Sequence, residues 1–441
     1  MKLAKLSLAA MVVAGLASSS FAADTLADAF KQGSVTGELK AYYFDRDYDS
    51  DGHENLLTTG LLLNYKTASF YGFGLNFTGQ ASASPFASSD EKALFAGDEY
   101  GSGAVLSEAY LSYSVGKTTA LVGRMFLDTP LVASSGSRMT KQAFEGAALI
   151  NTDLPGTTLI AGYVQKFQAR TDGDGNIGKF SKTMGTGSGY PENTLGDIFE
   201  ANNIDGNPSL YVDGGAFTLV AINKSITGLT LTAAYAQAND VKNFDSGISI
   251  DAVRIAYGEA AYAGAAGKFT YGLAAQYYYN NLSGVSAPSA VIPGLISGLD
   301  SNNLWGVKAS VGYDAFGAYA AYTKVNDEEN GIGVISGLGG GADLAYTGSP
   351  INSSSYANDT KAYKVGLTYA VLKNANLGVN YTVNKMDSNP SDWDETAWAA
   401  IEADYAFEGA LKGLNTSVVY EDGSKDASGV SELWFKAAYK F

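Results

Sequence analysis

Along most of the 441 residues, segments of about ten alternate apolar and polar positions, the period of a strand with one face in an apolar phase and the other in water. In residues 70–81, Tyr71, Phe73, Leu75 and Phe77 fall on one face, and Gly72, Gly74, Asn76, Thr78 and Gln80 on the other. Residues 302–313 repeat the arrangement: Trp305, Val307, Ala309, Val311 and Tyr313 face one way, Leu304, Gly306, Lys308, Ser310 and Gly312 the other. Alternation and turn signals together predict strands near 35–46, 56–66, 70–81, 104–115, 118–125, 143–151, 157–168, 215–225 and 229–239. They continue near 249–262, 268–280, 302–313, 316–326, 360–371, 376–386, 395–407, 413–422 and 430–441, eighteen in all. Connections alternate in length. Thr67-Ala68-Ser69, Asp153-Leu154-Pro155-Gly156 and Asp314-Ala315 are tight, whereas 82–103, 126–142, 169–214, 281–301 and 327–359 are long and rich in Gly, Ser, Pro and Asp. Such long structureless connections are rare inside compact soluble domains but ordinary on one rim of an up-and-down barrel.

The N-terminus changes the setting. Lys2 and Lys5 precede an apolar run from Leu6 to Ala17, and Ser20-Phe21-Ala22 follows, which predicts a secretory signal peptide over residues 1–22. That run is too short to span a bilayer, and no later stretch offers the ~18 consecutive apolar residues of a membrane helix. Yet 46% of the chain is hydrophobic, with 29 Tyr and 52 Gly but only 9 Pro. A barrel wall needs aromatics at two interfaces and small residues where side chains crowd. In hydrocarbon every backbone N–H and C=O must be paired, and only a closed ring of strands leaves no edge. The expected fold over residues 23–441 is therefore all-β, a transmembrane antiparallel β-barrel of about 18 strands in a bacterial outer membrane. Side chains alone cannot fill so wide a lumen, so a water channel narrowed by a loop is expected. At the C-terminus Leu433, Phe435, Ala437, Tyr439 and Phe441 alternate with Glu432, Trp434, Lys436, Ala438 and Lys440. A terminal Phe on such a strand resembles the signal read by the bacterial barrel-insertion machinery.

Charge and chemistry narrow the choice. Loss of residues 1–22 would leave 27 basic and 45 acidic groups, a net charge of about −18, which argues against nucleic acid as a partner. There is no cysteine and one histidine, His53, among acids in an outer loop, so no enzyme, cofactor or metal site is expected. Asp172-Gly173-Asp174-Gly175-Asn176 resembles the start of a calcium loop, but Ile177 and Thr183 stand where glycine and glutamate are needed. The acids Asp45, Asp47, Asp49, Asp51 and Glu54, and Asp327, Glu328 and Glu329, read as solvated charge beside lipopolysaccharide. Strand parity assigns Lys40, Arg46, Lys66, Arg124, Arg254, Lys308, Lys324, Lys364 and Lys436 to the lumen, where a row of cations would concentrate anions. Tyr65, Tyr71, Tyr113, Tyr313, Tyr369, Tyr405 and Tyr439 are assigned to the interfacial girdles.

Gly123-Arg124-Met125-Phe126-Leu127-Asp128-Thr129-Pro130-Leu131-Val132, then Ser137-Arg138-Met139 and Phe144-Glu145-Gly146, resembles the OprD porin family. Further similarity lies at Gly37 to Asp47 and from Asp394-Glu395 to Tyr405. The resemblance implies an 18-stranded barrel, a homotrimer, an inward-folded third loop between strands 5 and 6, and a basic ladder that guides substrate carboxylates. It adds Asp128 and Arg138 to the candidate pore residues. Ser135-Gly136 stands where the family commonly has acids, and Thr140-Lys141 where a proline is usual, so the resemblance does not carry over an acidic side to the constriction or a preference for basic amino acids. The leading expectation is a passive channel for small polar solutes that prefers carboxylates, amino acids or small peptides. A non-selective diffusion porin and an adhesin or surface-structural barrel stay open beside it.

Overall fold

The computed structural model describes residues 23–48, 52–173, 175–184, 210–243, 247, 249–286, 301–328, 333–352, 355–386 and 394–441. The signal peptide assigned to residues 1–22, together with Asp49, Asp51, Asp174, Glu329 and parts of the long loops, lies outside them. Eighteen strands form the wall: β1 (Ser34–Tyr48), β2 (Gly52–Lys66), β3 (Phe73–Ala83), β4 (Gly103–Val115), β5 (Thr118–Met125), β6 (Ala143–Asn151), β7 (Thr157–Gln168), β8 (Ala216–Asn223) and β9 (Leu229–Asn243). The second half comprises β10 (Ser249–Ala266), β11 (Phe269–Ser283), β12 (Ser301–Tyr313), β13 (Phe316–Val325), β14 (Thr360–Leu372), β15 (Ala375–Met386), β16 (Glu395–Ala406), β17 (Leu414–Lys425) and β18 (Val430–Lys440). Short strands at Phe180–Ser181, Thr183–Met184 and Leu210–Val212 carry the wall past the end of β8, between β7 and β9.

Each strand pairs antiparallel with the next, and β18 returns to β1 over Glu38↔Lys440 through Tyr48↔Val430. The barrel is closed, so the wall has no edge to leave unpaired in lipid. At the seam Gly37 and Phe441 exchange two backbone hydrogen bonds, 2.9 and 3.1 Å. A Cβ on Gly37 would stand 2.5 Å from the Phe441 ring and 2.9 Å from the Leu62 carbonyl oxygen, so glycine permits the close approach.

The outer face is a continuous apolar band. Tyr71, Tyr113, Tyr313, Tyr369, Tyr405 and Tyr439 are exposed on it, all at the end with the tight turns. Tyr65 is half-buried and donates to the Phe30 carbonyl at 2.5 Å, beside the short helix α1 (Leu26–Lys31). A second aromatic row, with Tyr277, Trp305, Tyr322 and Tyr363, lies toward the long loops; neighbouring rings along it are 5.2 and 5.0 Å apart. Trp305 and Tyr313 are eight residues apart, about 27 Å along a strand and close to the height of an outer-membrane apolar band.

Two long loops fold inside. The third, 126–142, buries Leu127, Leu131 and Val132, and the seventh, 326–359, buries Val334, Ile335 and Tyr356, all against inward residues such as Phe144, Val164, Ile255, Tyr278 and Leu304. The loops are zipped together: Leu338 N–H donates to the Leu131 carbonyl and Ala133 N–H to the Leu338 carbonyl, both at 2.9 Å. Tyr356 organises the seventh loop. Its hydroxyl accepts from Leu344 N–H and Ala345 N–H, both at 2.9 Å, and donates to Asp343 Oδ1 at 3.0 Å. The second loop carries helix α2 (Ser89–Phe95), started by a capping box in which Ser88 Oγ accepts from Glu91 N–H and the Glu91 carboxylate accepts from Ser88 N–H.

Two outcomes test these contacts. Gly37→Val should block closure at the seam, seen as loss of the compact, heat-modifiable species in unheated gel electrophoresis. Tyr356→Phe should leave the barrel intact but strand two N–H groups at about 1–3 kcal/mol each, so the seventh loop should be cut faster by protease and open-channel noise should rise.

Candidate functional site

With half of the inner wall covered by the third and seventh loops, the polar lumen lies along the seam, on the inner faces of β18, β1, β2 and β3. Even-numbered positions of β1 and β18 point inward: Tyr42 and Phe44 on one strand and Trp434 on the other are buried, while Leu39 and Phe435 face lipid. That parity also places Lys40, Arg46 and Lys436 on the inner face. Lys40 and Lys440 continue the row toward the turn end, Lys440 being paired in register with Glu38, and Lys66 ends β2 there. From Arg46 to Glu38 the row covers eight residues of β1, about 27 Å.

Near the loop end, three loops and the last strand converge on arginine. Arg46 Nε donates to Glu432 Oε1 at 2.9 Å, and its NH2 lies 3.5 Å from Glu99. Its guanidinium stacks over Phe95 of α2 at 5.0 Å. Arg138, from the third loop, pairs with Asp98 at 2.6 Å and Glu99 at 2.8 Å and lies 4.0 Å over the Trp434 ring. Arg170, from the fourth loop, pairs with Asp98 and donates to Ser137 Oγ at 3.2 Å. Burial alone would raise both carboxyls. Arg138 and Arg170 pull Asp98 below the ordinary value, whereas Glu99 stays raised, since it also faces Asp98 and Glu432.

Below this cluster the wall lysines hold the third loop in place. Lys436 Nζ donates to the Ser137 carbonyl at 2.5 Å and lies 4.1 Å over Trp434. Lys40 Nζ donates to the Met139 carbonyl at 3.2 Å and lies 3.6 Å from Glu38. Gln80 of β3 completes the attachment, accepting from Lys141 N–H at 2.8 Å and donating to the Lys141 carbonyl at 2.7 Å. Burial lowers the pKa of the Lys141 ammonium, opposed by Glu108, Asp128 and Glu38 nearby. Asp128 stands at the loop's root, where its backbone bridges Ala133.

The structure thus brings together Lys40, Arg46, Arg138 and Lys436, with Asp128 at the loop root and Lys66 at the far end. Lys308 and Lys364 also face inward but elsewhere: Lys308 over Tyr319 at 5.2 Å, and Lys364 under the seventh loop, donating to the Gly348 carbonyl at 2.6 Å.

Three assignments to the lumen are corrected. Arg124 shares the parity of Val122, which is 60% exposed, while Leu121 and Met125 are buried inward. It lies on the outer wall, with Nε 2.9 Å from Glu145. Arg254 shares a face with exposed Tyr262 and donates to Ser283 Oγ at 2.9 Å, whereas Ile255 and Tyr257 point inward. Lys324 follows outward Tyr322, between inward Thr323 and Val325. The physical reason is common: under the docked loops the inner wall is itself apolar, so apolar positions there do not mark the lipid face.

Sequence reasoning missed Arg170, Asp98 and Glu99. The Gly97-Asp98-Glu99-Tyr100 stretch lay in what read as an ordinary long loop, and the acidic side absent from Ser135-Gly136 comes from there instead. Among the described residues no group of three or more His, Asp or Glu is arranged to hold a metal ion.

Residues 28–203 match the family described as outer membrane porin, OprD family. Among solved structures the chain is similar to Pseudomonas aeruginosa OccK9 (OpdG), with 14% identity and a TM-score of 0.73 over 94% of this chain and 99% of that one. It is similar to P. aeruginosa OpdK, solved with vanillate, at 15% identity and a TM-score of 0.71 over 93% and 99%. It is also similar to P. aeruginosa OccK2 (OpdF), in complex with glucuronate, at 15% identity and a TM-score of 0.70 over 93% and 98%. No curated protein sequence matches the chain. Residues 28–203 thus match an outer-membrane porin family, and the chain as a whole has the fold of these solved structures, a closed 18-stranded wall with its third loop folded inward.

Proposed function

We propose that this porin is a passive channel that favours small carboxylates, drawn through the lumen along the seam. The observation that carries the reading is the inward column Arg46, Lys436, Lys40, Lys440 and Lys66, joined by Arg138, Arg170 and Lys141 from the loops. Facing it are slightly fewer acids, Glu38, Asp98, Glu99, Glu108, Asp128, Glu421 and Glu432, in a chain whose net charge is −16. A low-dielectric wall amplifies such an excess, and fixed guanidinium and ammonium groups replace water around a carboxylate without holding it tightly. The acids beside the arginines set their orientation, so a solute anion meets a guanidinium already aimed at the path. Vanillate and glucuronate, held by two of the similar channels, are both carboxylates.

The same reading extends to assembly. Residues 1–22 act as a cleaved export signal, Phe441 at the seam is offered to the insertion machinery, and the mature barrel forms a homotrimer.

Planar-bilayer recordings test selectivity. Arg138→Ala should shift the reversal potential toward cations, lowering the anion-to-cation permeability ratio about threefold, one kT of potential per charge. Arg124→Ala should leave it unchanged, since that side chain is on the outer wall. Chloride conductance through the wild type should fall as small carboxylates are added and saturate with their concentration. Conductance indifferent to carboxylates would leave a general diffusion porin; no conductance at all would favour a surface-structural barrel.

A further inference from the structure

The helix at the start of the described chain keeps an apolar flank exposed. α1 (Leu26–Lys31) has six residues, well under the ~12 that let a helix persist alone, so docking holds it. Three hydrogen bonds fix it to the wall and to the turn between β2 and β3. Ala23 N–H donates to the Ser69 carbonyl at 2.8 Å, Ala68 N–H to the Ala29 carbonyl at 3.0 Å, and the Tyr65 hydroxyl to the Phe30 carbonyl at 2.5 Å. The Tyr65 ring also fills the space beside Gly33, where a Cβ would stand 2.6 Å from the hydroxyl oxygen. Ala29, 2% exposed, is the side turned to the barrel.

At about 100° per residue, Leu26 and Phe30 lie together on the flank next to Ala29, whereas Asp28 and Lys31 lie across the helix from them. Leu26 is 59% and Phe30 44% exposed. Tyr65 sets the depth of this flank. It shares the outer face of β2 with Leu61 and Leu63 and pairs with Val35, all three exposed on the apolar band. A girdle tyrosine keeps its ring among acyl chains and its hydroxyl at the headgroups. Because α1 caps that hydroxyl, the helix lies against the outside of the wall at headgroup depth, and not across the mouth of the pore. An apolar flank there meets one apolar phase, the acyl carbons just inside the headgroups, so Leu26 and Phe30 prolong the band already formed by the wall. Asp24 and Asp28 stand against Lys31, so area and not cationic charge carries the contact.

We propose that α1 is an interfacial helix whose Leu26 and Phe30 insert among the acyl chains of glycerophospholipids in the leaflet at the tight-turn end. The contact pins the rim of the wall beside β1 and β2 to one membrane depth. It lies outside the channel and does not depend on what passes through it.

The chain has no cysteine, so single cysteines report from chosen positions. Leu26→Cys, Asp28→Cys, Phe30→Cys and Lys31→Cys barrels, each carrying a bimane label, are reconstituted into phosphatidylcholine vesicles, with heat-modifiable migration checking the fold. Labels at positions 26 and 30 should lose most of their fluorescence to lipids with brominated acyl chains and little to iodide present on both sides of the membrane. Labels at positions 28 and 31 should show the reverse. In the unsubstituted barrel, a phosphatidylcholine with a diazirine in its acyl chain should crosslink to the peptide that contains residues 24–33, a readout that needs no variant to fold. Equal iodide quenching at all four positions, or no crosslink to that peptide, would put the flank in water and overturn the proposal. Pyrene labels on Phe30→Cys that form excimers in lipid-rich vesicles would mark a second copy of the chain as the occupant and refute it.

Discussion

The hydrogen-bonding demand of a backbone in hydrocarbon governs this molecule. No strand of the wall can be left with a free edge, so the chain must bring its last strand back to its first, and it does so over eleven register pairs from Glu38↔Lys440 to Tyr48↔Val430. Everything inside is arranged relative to that join. The inward faces of β1 and β18 carry the aromatic floor of Tyr42, Phe44 and Trp434, and this floor supports the arginine and lysine cluster and receives the second and third loops.

The lumen is consequently lopsided. Toward the long loops, inner residues of the wall from β5 to β13 belong to an apolar core shared with the third and seventh loops, packed like that of a soluble domain. Across the seam, the same third loop is held by lysine-to-carbonyl and glutamine-to-backbone hydrogen bonds, which leave charged groups beside water. One loop is therefore glued on its apolar side and tethered on its polar side. Its position is over-determined, as a selective constriction requires.

This division explains what could be read from the sequence. Strand positions were legible throughout: β5, β6 and β7 fall where alternation and turn signals place them, and no other strand is misplaced by more than a few residues. Facing was legible wherever the inner wall is wet, as on β1, β12 and β18, because there polar means inward. It was illegible on β5, β10 and β13. In β13 Tyr319 faces in and Tyr322 faces out, and in β10 Tyr257 and Tyr262 divide the same way. Two tyrosines on opposite faces give alternation no anchor. Gly123, with φ at +132°, adds a local irregularity just before Arg124. The ion pairs of Asp98 and Glu99 were invisible for another reason: their partners lie 39 or more residues away on other loops, and no local period records such a meeting.

The terminal strand supplies both the carboxylate beneath Arg46 and the indole beneath Arg138. The cluster is thus complete only when the strand that closes the barrel is in place. A polypeptide stopped short of Glu432 would present guanidinium groups with a missing counter-charge and no ring to lie on. The same truncation would leave the wall open and unable to seal a membrane.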